Sequence, residues 1–201
     1  MDANEFIQNV FNGDVLVTWL EHTLEDQFHS FNEARATYEM ALDVLRQTIG
    51  KGSVPSVNDV ADAVRRQTAS NLLFAGALGL KSNWEHFHDP LAPTVLDLDF
   101  DVFLREQDAI MLPEYQHAQE VLSRFCGLLS PVQQELYDPV IEYISYLETV
   151  GPKLAHLYGH LIGDVILRRF VPGYEPDTVL SDRYRKMVAG YLCEDEVKLS
   201  I

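Results

Sequence analysis

Cysteine is almost missing from this chain, with only Cys126 and Cys193 among 201 residues. The two lie far apart and neither belongs to a C-x-x-C or Cys/His cluster. That spacing speaks against a disulfide framework or a thiolate zinc site and fits a reducing compartment, so a cytoplasmic protein is expected. Long apolar runs are missing as well: no stretch approaches the roughly 18 unbroken apolar residues of a membrane span. The opening MDANEFIQNVFNGD is acidic and lacks the basic lead and apolar core of an export signal. Positive charge is scarce, since 15 Lys and Arg face 31 Asp and Glu for a formal net charge of −16. Such a field repels phosphate backbones and anionic lipid before contact, so neither nucleic acid nor membrane is an expected partner. What is abundant is apolar surface: 47% of residues are hydrophobic and 10% aromatic. A chain of this length and composition buries a core without staples.

Alternating strand-like patterns are scarce too, and the periodicity is helical nearly throughout. From Asp14 to Ile49, Phe28, Phe31, Tyr38, Leu42, Leu45 and Ile49 share one face, and Leu16, Leu20 and Leu24 extend it upstream. If continuous, this helix is about 54 Å long. Gly50-Lys51-Gly52 ends it, and Ser56-Val57-Asn58-Asp59 has the form of a capping box opening a second helix that runs to about His88, before Asp89-Pro90. The short link predicts an antiparallel hairpin over about 14–88. Within "LFAGALG", Ala75, Gly76 and Gly79 leave room for a neighbouring backbone.

The expected fold class is therefore all-α, a long antiparallel helical hairpin packed with a C-terminal helical bundle. The proline-containing stretch 89–100 marks a boundary between a hairpin unit (1–100) and a bundle unit (101–201), unless the two form one continuous domain. In the second half, 101–112 and 113–129 read as two helical pieces with Pro113 in a first turn. Ser130-Pro131 opens another helix, Asp138-Pro139 kinks or restarts it, and Gly151-Pro152 ends it. A helix over 152–170, the loop VPGYEPDT and a helix over about 181–192 complete the chain.

The helix PKLAHLYGHLIGDVILRRF carries Lys153, His156, His160, Asp164 and Arg168 at three- and four-residue intervals among apolar residues. Ala155, Gly159 and Gly163 form a parallel line of small residues. If the polar stripe is buried, each group needs a partner, because an unpaired buried polar group costs about 1–3 kcal/mol. These five residues are the ligand-binding candidates; the alternative is a solvated groove with an Asp164–Arg168 pair. The two histidines can share a metal but lack the Glu of H-E-x-x-H. Carboxylate-x-x-His spacing, as in di-metal bundles, occurs at Asp26/His29, Glu85/His88 and Glu114/His117, against about one occurrence by chance. Glu85, His88, Glu114 and His117 are the metal-ligand candidates. "DLDFD", with Asp97, Asp99 and Asp101, starts like a calcium loop but has Val102 and Asp108 where Gly and Glu belong, so helix capping is the better reading. Trp84 and Phe87, flanked by His86 and His88, can line a pocket mouth or close a core layer. Nucleophile elbows, phosphate loops and dinucleotide fingerprints are absent.

Over about a dozen residues, GHLIGDVILRRF resembles the distal helix of heme oxygenases, in which an Asp follows a glycine above the heme. The resemblance maps that pair onto Gly163 and Asp164. The long N-terminal hairpin departs from that family's pattern, and no proximal histidine can be assigned between His22 and His29. Two functional expectations follow from the residues. One is an acidic intracellular helical protein acting by association with itself or a protein partner, because two long helices alone leave apolar surface bare. The other is an enzyme or carrier that holds a metal, heme or other small ligand on the His/Asp stripe. No cofactor is specified by these patterns.

Overall fold

The structure, a computed structural model, describes residues 3–50, 52–85 and 100–175, with residue 182. All regular elements among them are helices: α1 (Ala3–Val10), α2 (Gly13–Gln27), α3 (His29–Thr48), α4 (Val57–Glu85), α5 (Phe100–Leu128), α6 (Pro131–Glu135) and α7 (Asp138–Phe170). Local chemistry sets several of their ends. Asn12 caps α2, its Oδ1 accepting from the Val15 N–H at 3.0 Å. At the start of α4 the Ser56 amide and hydroxyl both donate to Asp59 Oδ2, and the Asp59 amide returns a bond to Ser56 Oγ. These bonds hold the Asp59 carboxyl below its ordinary pKa. Ser130 and Gln133 make the equivalent reciprocal pair before α6.

The helix expected over 14–49 is broken at Phe28, whose backbone is extended (φ −128°, ψ 106°) while its ring is buried. No glycine or proline marks the spot. The break brings Arg35 onto Glu25, ten residues earlier, and lets the Asn32 side chain donate to the Glu25 carbonyl. On a continuous helix those two side chains would start about 15 Å apart along the axis. Conversely, two expected interruptions are absent. Helix α5 runs through Pro113 and α7 runs through Pro152. Each proline forfeits one backbone hydrogen bond, but packing on both sides holds the helix: Met111 and Ala118 flank Pro113, and Leu147, Leu154 and Ala155 flank Pro152, all buried. The connection over 89–99 and the helix expected over 181–192 lie outside the described residues, apart from Asp182.

Helices α3, α4, α5 and α7 alternate in direction. Arg46 at the end of α3 meets Asn58 at the start of α4. Arg66 bridges Asp62 and Glu114, and Ser70 meets the Met111 carbonyl, setting α5 antiparallel to α4. Ser30 and Phe31 lie by Tyr146 while Gln133 reaches the Thr48 carbonyl, setting α3 antiparallel to α7. Helices α4 and α7 are therefore parallel, and they touch backbone to backbone. A Cβ at Gly79 would overlap the His156 carbonyl, one at Gly159 the Gly76 carbonyl, and one at Gly163 the Asn83 side chain. The two small-residue lines read from sequence thus face each other. One buried cluster runs from Ile7 to Val171 and includes Phe31, Leu45, Leu72, Phe125 and Leu167.

Adding one methyl group at this contact forces the two backbones apart. Gly159→Ala and Gly79→Ala are each expected to lower stability by about 3 kcal/mol or more in urea denaturation. Gly127→Ala, on α5 with open space around it, is expected to raise it by about 0.5–1 kcal/mol.

Candidate functional site

The polar stripe divides across the circumference of α7. Lys153 and Arg168 are exposed, His156 is half-buried, and His160 and Asp164 are 2% and 8% exposed. No continuous groove collects all five. Asp164 is braced rather than open: its Oδ1 accepts from Asn83 Nδ2 at 3.0 Å and from the Tyr174 hydroxyl at 2.7 Å. Gly173, at φ +78°, permits the reversal after α7 that returns Tyr174 to this position. The glycine above which the heme-oxygenase resemblance would set a heme, Gly163, is covered by Asn83 of α4. Among the described residues, Asn83 thus occupies the space directly over Gly163.

Of the metal-ligand candidates, Glu114 is bonded to Arg66 at 2.6 Å and His117 is exposed. The Glu85 side chain and His88 lie outside the described residues, as do Asp97, Asp99 and Phe87. His29 sits at the surface 3.2 Å from Glu33. Among the described residues no group of three or more His, Cys, Asp or Glu side chains converges as a metal site requires.

A different site lies where α2 and α3 diverge beyond the Phe28 break. Between them, floored by α4 and α7, is a cleft of about 200 Å³. Val17 and Leu20 of α2, Val64 of α4 and Leu147 of α7 supply apolar walls. Tyr38 and Tyr143 stack beside them, ring centroids 4.5 Å apart and 18° from parallel. Both rings are at least nine-tenths buried, and among the described residues neither hydroxyl makes a hydrogen bond. Burial pushes the Tyr38 phenol up to about 12 and raises that of Tyr143 as well, with the charge of Glu21 adding to both. Both hydroxyls are therefore hydrogen-bond donors at neutral pH. Thr68, whose hydroxyl donates to the Val64 carbonyl, presents an acceptor oxygen.

Charges ring the mouth. Arg35 pairs with Glu25 and Glu39, and Arg65 with Asp14 at 3.3 Å. Burial pulls the Arg35 guanidinium pKa down, but the Glu39 hydrogen bond and the charges of Glu25, Glu21 and Glu39 outweigh it and hold it above its ordinary value. Glu21 lines the cleft without an ion pair or hydrogen bond to a described residue. None of these residues was marked as a site by the sequence. Tyr38 reads there only as core, and the cleft draws on four helices whose meeting has no local signature. The signal that was present is charge on an otherwise apolar face: Glu21 and Arg35 sit beside Leu20 and Tyr38 on a helical period. No helix among the described residues is long and apolar enough to cross a membrane. No protein-family model, curated protein or solved structure matches the chain.

The buried phenols tie stability to alkaline pH. The folded Tyr38 keeps its proton to about pH 12, while in the unfolded chain it ionises near 10. Its contribution is complete below pH 10 and is lost as pH rises toward 12. Between pH 9 and 12, unfolding free energy of the parent should fall by on the order of 2 kcal/mol more than that of Tyr38→Phe, measured by urea titration at each pH.

Proposed function

We propose that this is a cytoplasmic, helical small-molecule-binding protein whose ligand occupies the cleft between α2 and α3. One observation carries the reading: the hydroxyls of two largely buried tyrosines, without hydrogen bonds among the described residues, open onto a walled space of ligand size. Neither hydroxyl oxygen is sealed from solvent, so each can exchange water for an acceptor on a ligand, a net gain of about 0.5–1.5 kcal/mol. Apolar walls with a few convergent polar groups are the usual composition of a small-molecule site. The ligand-carrier reading of the sequence thus moves from the His/Asp stripe to the cleft. Asp164 joins α7 to α4 and to the turn after α7 through Asn83 and Tyr174.

Filling the cleft tests this. Ala61 lines it and is half-buried, so Ala61→Trp places a ring in the space. A panel of cationic, neutral and anionic monocyclic fragments at millimolar concentration, followed by ligand-detected NMR, is expected to yield binders to the parent that Ala61→Trp abolishes without loss of helical circular dichroism. Absence of any binder in all three charge classes overturns the reading.

Association is the second reading. The apolar surface that two long helices would leave bare is covered within the chain by α5 and α7, so its support now comes from apolar pairs one turn apart on the outside: Met40 with Val44, and Phe74 with Leu78. It expects a dimer by light scattering at micromolar concentration that Phe74→Glu with Leu78→Lys converts to monomer. A parent that is monomeric throughout that range removes it.

A further inference from the structure

The charge around the cleft points to the class of ligand. Two guanidiniums, Arg35 and Arg65, face four carboxylates, Asp14, Glu21, Glu25 and Glu39. Both cations are already matched, Arg35 twice over. Glu21 is the carboxylate left over: it lines the cleft, acts on Arg35, Tyr38 and Tyr143 only through its field, and makes no direct ion pair or hydrogen bond with a described residue. An anion entering here would have to displace an existing ion pair, whereas a cation meets a carboxylate that has none. The stacked tyrosines work in the same direction, because the faces of aromatic rings attract cations. Size narrows the class further. A cavity of about 150 Å³ holds benzene, so 200 Å³ takes a ring or a branched alkyl group with a short side arm.

We propose that the cleft binds a small organic monoamine, its ammonium group on Glu21 with Glu39 nearby and its apolar or aromatic body against Val17, Leu147 and the Tyr38–Tyr143 pair. A hydroxyl or ether oxygen on that body would accept from a tyrosine. This assignment rests on the cleft being the ligand site.

The test uses the full chain and three probes of nearly equal shape: 2-phenylethylamine, 2-phenylethanol and 3-phenylpropionate, each titrated calorimetrically at low ionic strength. The amine is expected to bind at least tenfold more tightly than the alcohol, and the acid not to bind measurably. Glu21→Gln should weaken the amine about tenfold while leaving the alcohol unchanged, a loss that rising salt reproduces in the parent. Glu21 is half-exposed, and Glu39→Gln provides a second substitution on the rim should the first alter folding. Equal binding of amine and alcohol, preference for the acid, or an amine affinity indifferent to both Gln substitutions overturns the assignment. In each of those cases fragment binding that Ala61→Trp abolishes still leaves the cleft as a ligand site, so the two proposals fail separately. Failure of all three probes overturns the monoamine class, and only an empty fragment panel overturns the cleft itself.

Discussion

The structure depends on the contact between α4 and α7, where two parallel helices meet with no side chains between them. Glycine at 76, 79 and 159 leaves the Cα–H bonds of Gly79 and Gly159 directed at the carbonyls of His156 and Gly76. Each such contact is weak, about 0.5–1 kcal/mol, and glycine inside a helix costs backbone entropy. The gain lies in what the approach allows elsewhere. With the axes this close, Leu72, Leu80, Leu154 and Leu167 pack around the crossing instead of within it, all almost fully buried. Helices α1 and α2 then reach across both: Phe11 covers Gly76, Leu20 meets Gly151 beside Leu72, and the Tyr158 hydroxyl donates to the Val10 carbonyl.

Buried polar groups fix the position of the crossing along the helices. Asn83 joins α4 to Asp164 on α7 at one end, and Tyr174 closes over the same oxygen. Several turns earlier Gln67 donates to Glu148 and accepts from Gln119, joining α4 to α7 and α5. Apolar packing alone tolerates sliding by a turn, whereas a slip would strip the buried Gln67, Asn83 and Asp164 side chains of these bonds. Between the two anchors the glycines set the spacing. Toward the start of α4 they give way to Val64, Gln67 and Thr68, and it is there, under the diverging arms of α2 and α3, that the cleft lies.

What the sequence disclosed divides along a physical line. Features carried by neighbours in the chain were legible: the Ser56–Asp59 box, the Ser130 cap, the restart at Asp138-Pro139, and the two lines of small residues that come together in α4 and α7. Features decided by residues far apart were not. Nothing near Phe28 says that the helix stops; the reason is its ring buried in the core and the Glu25–Arg35 and Asn32–Glu25 bonds that form only after the bend. Pro113 and Pro152 look like helix starts because a proline disfavours a helix interior by about 3 kcal/mol, and only the apolar burial of the flanking turns, invisible locally, exceeds that. The four-residue spacing of His156, His160, Asp164 and Arg168 was real, but a helix at 100° per residue drifts by 40° every four residues. Over the twelve from His156 to Arg168 such a line winds about 120°, a third of the way round, so His160 and Asp164 enter the core while Arg168 reaches water. The cleft was hidden for the opposite reason: its residues come from four helices, and each taken alone looks like core or surface.

The excess of acid over base acts at two ranges. Over the whole surface a charge of −16 enriches small cations near the protein and depletes anions, an effect that falls off within about 8 Å at physiological salt. At the cleft two glutamates, Glu21 and Glu39, face two arginines, Arg35 and Arg65, and of the two glutamates Glu39 is paired with Arg35 while Glu21 has no ion pair among the described residues; low-dielectric walls and stacked rings reduce screening there. Remote charge can favour arrival but not retention, because every anionic stretch of the surface attracts a cation equally. Retention requires a carboxylate not already matched, beside an apolar space that rejects water. Under the proposed reading Glu21, without an ion pair among the described residues, is that carboxylate, while Glu25, Glu39 and Asp14 are each committed to an arginine; the discrimination would then come from how the break at Phe28 distributes ion pairs and not from the acidity of the chain as a whole.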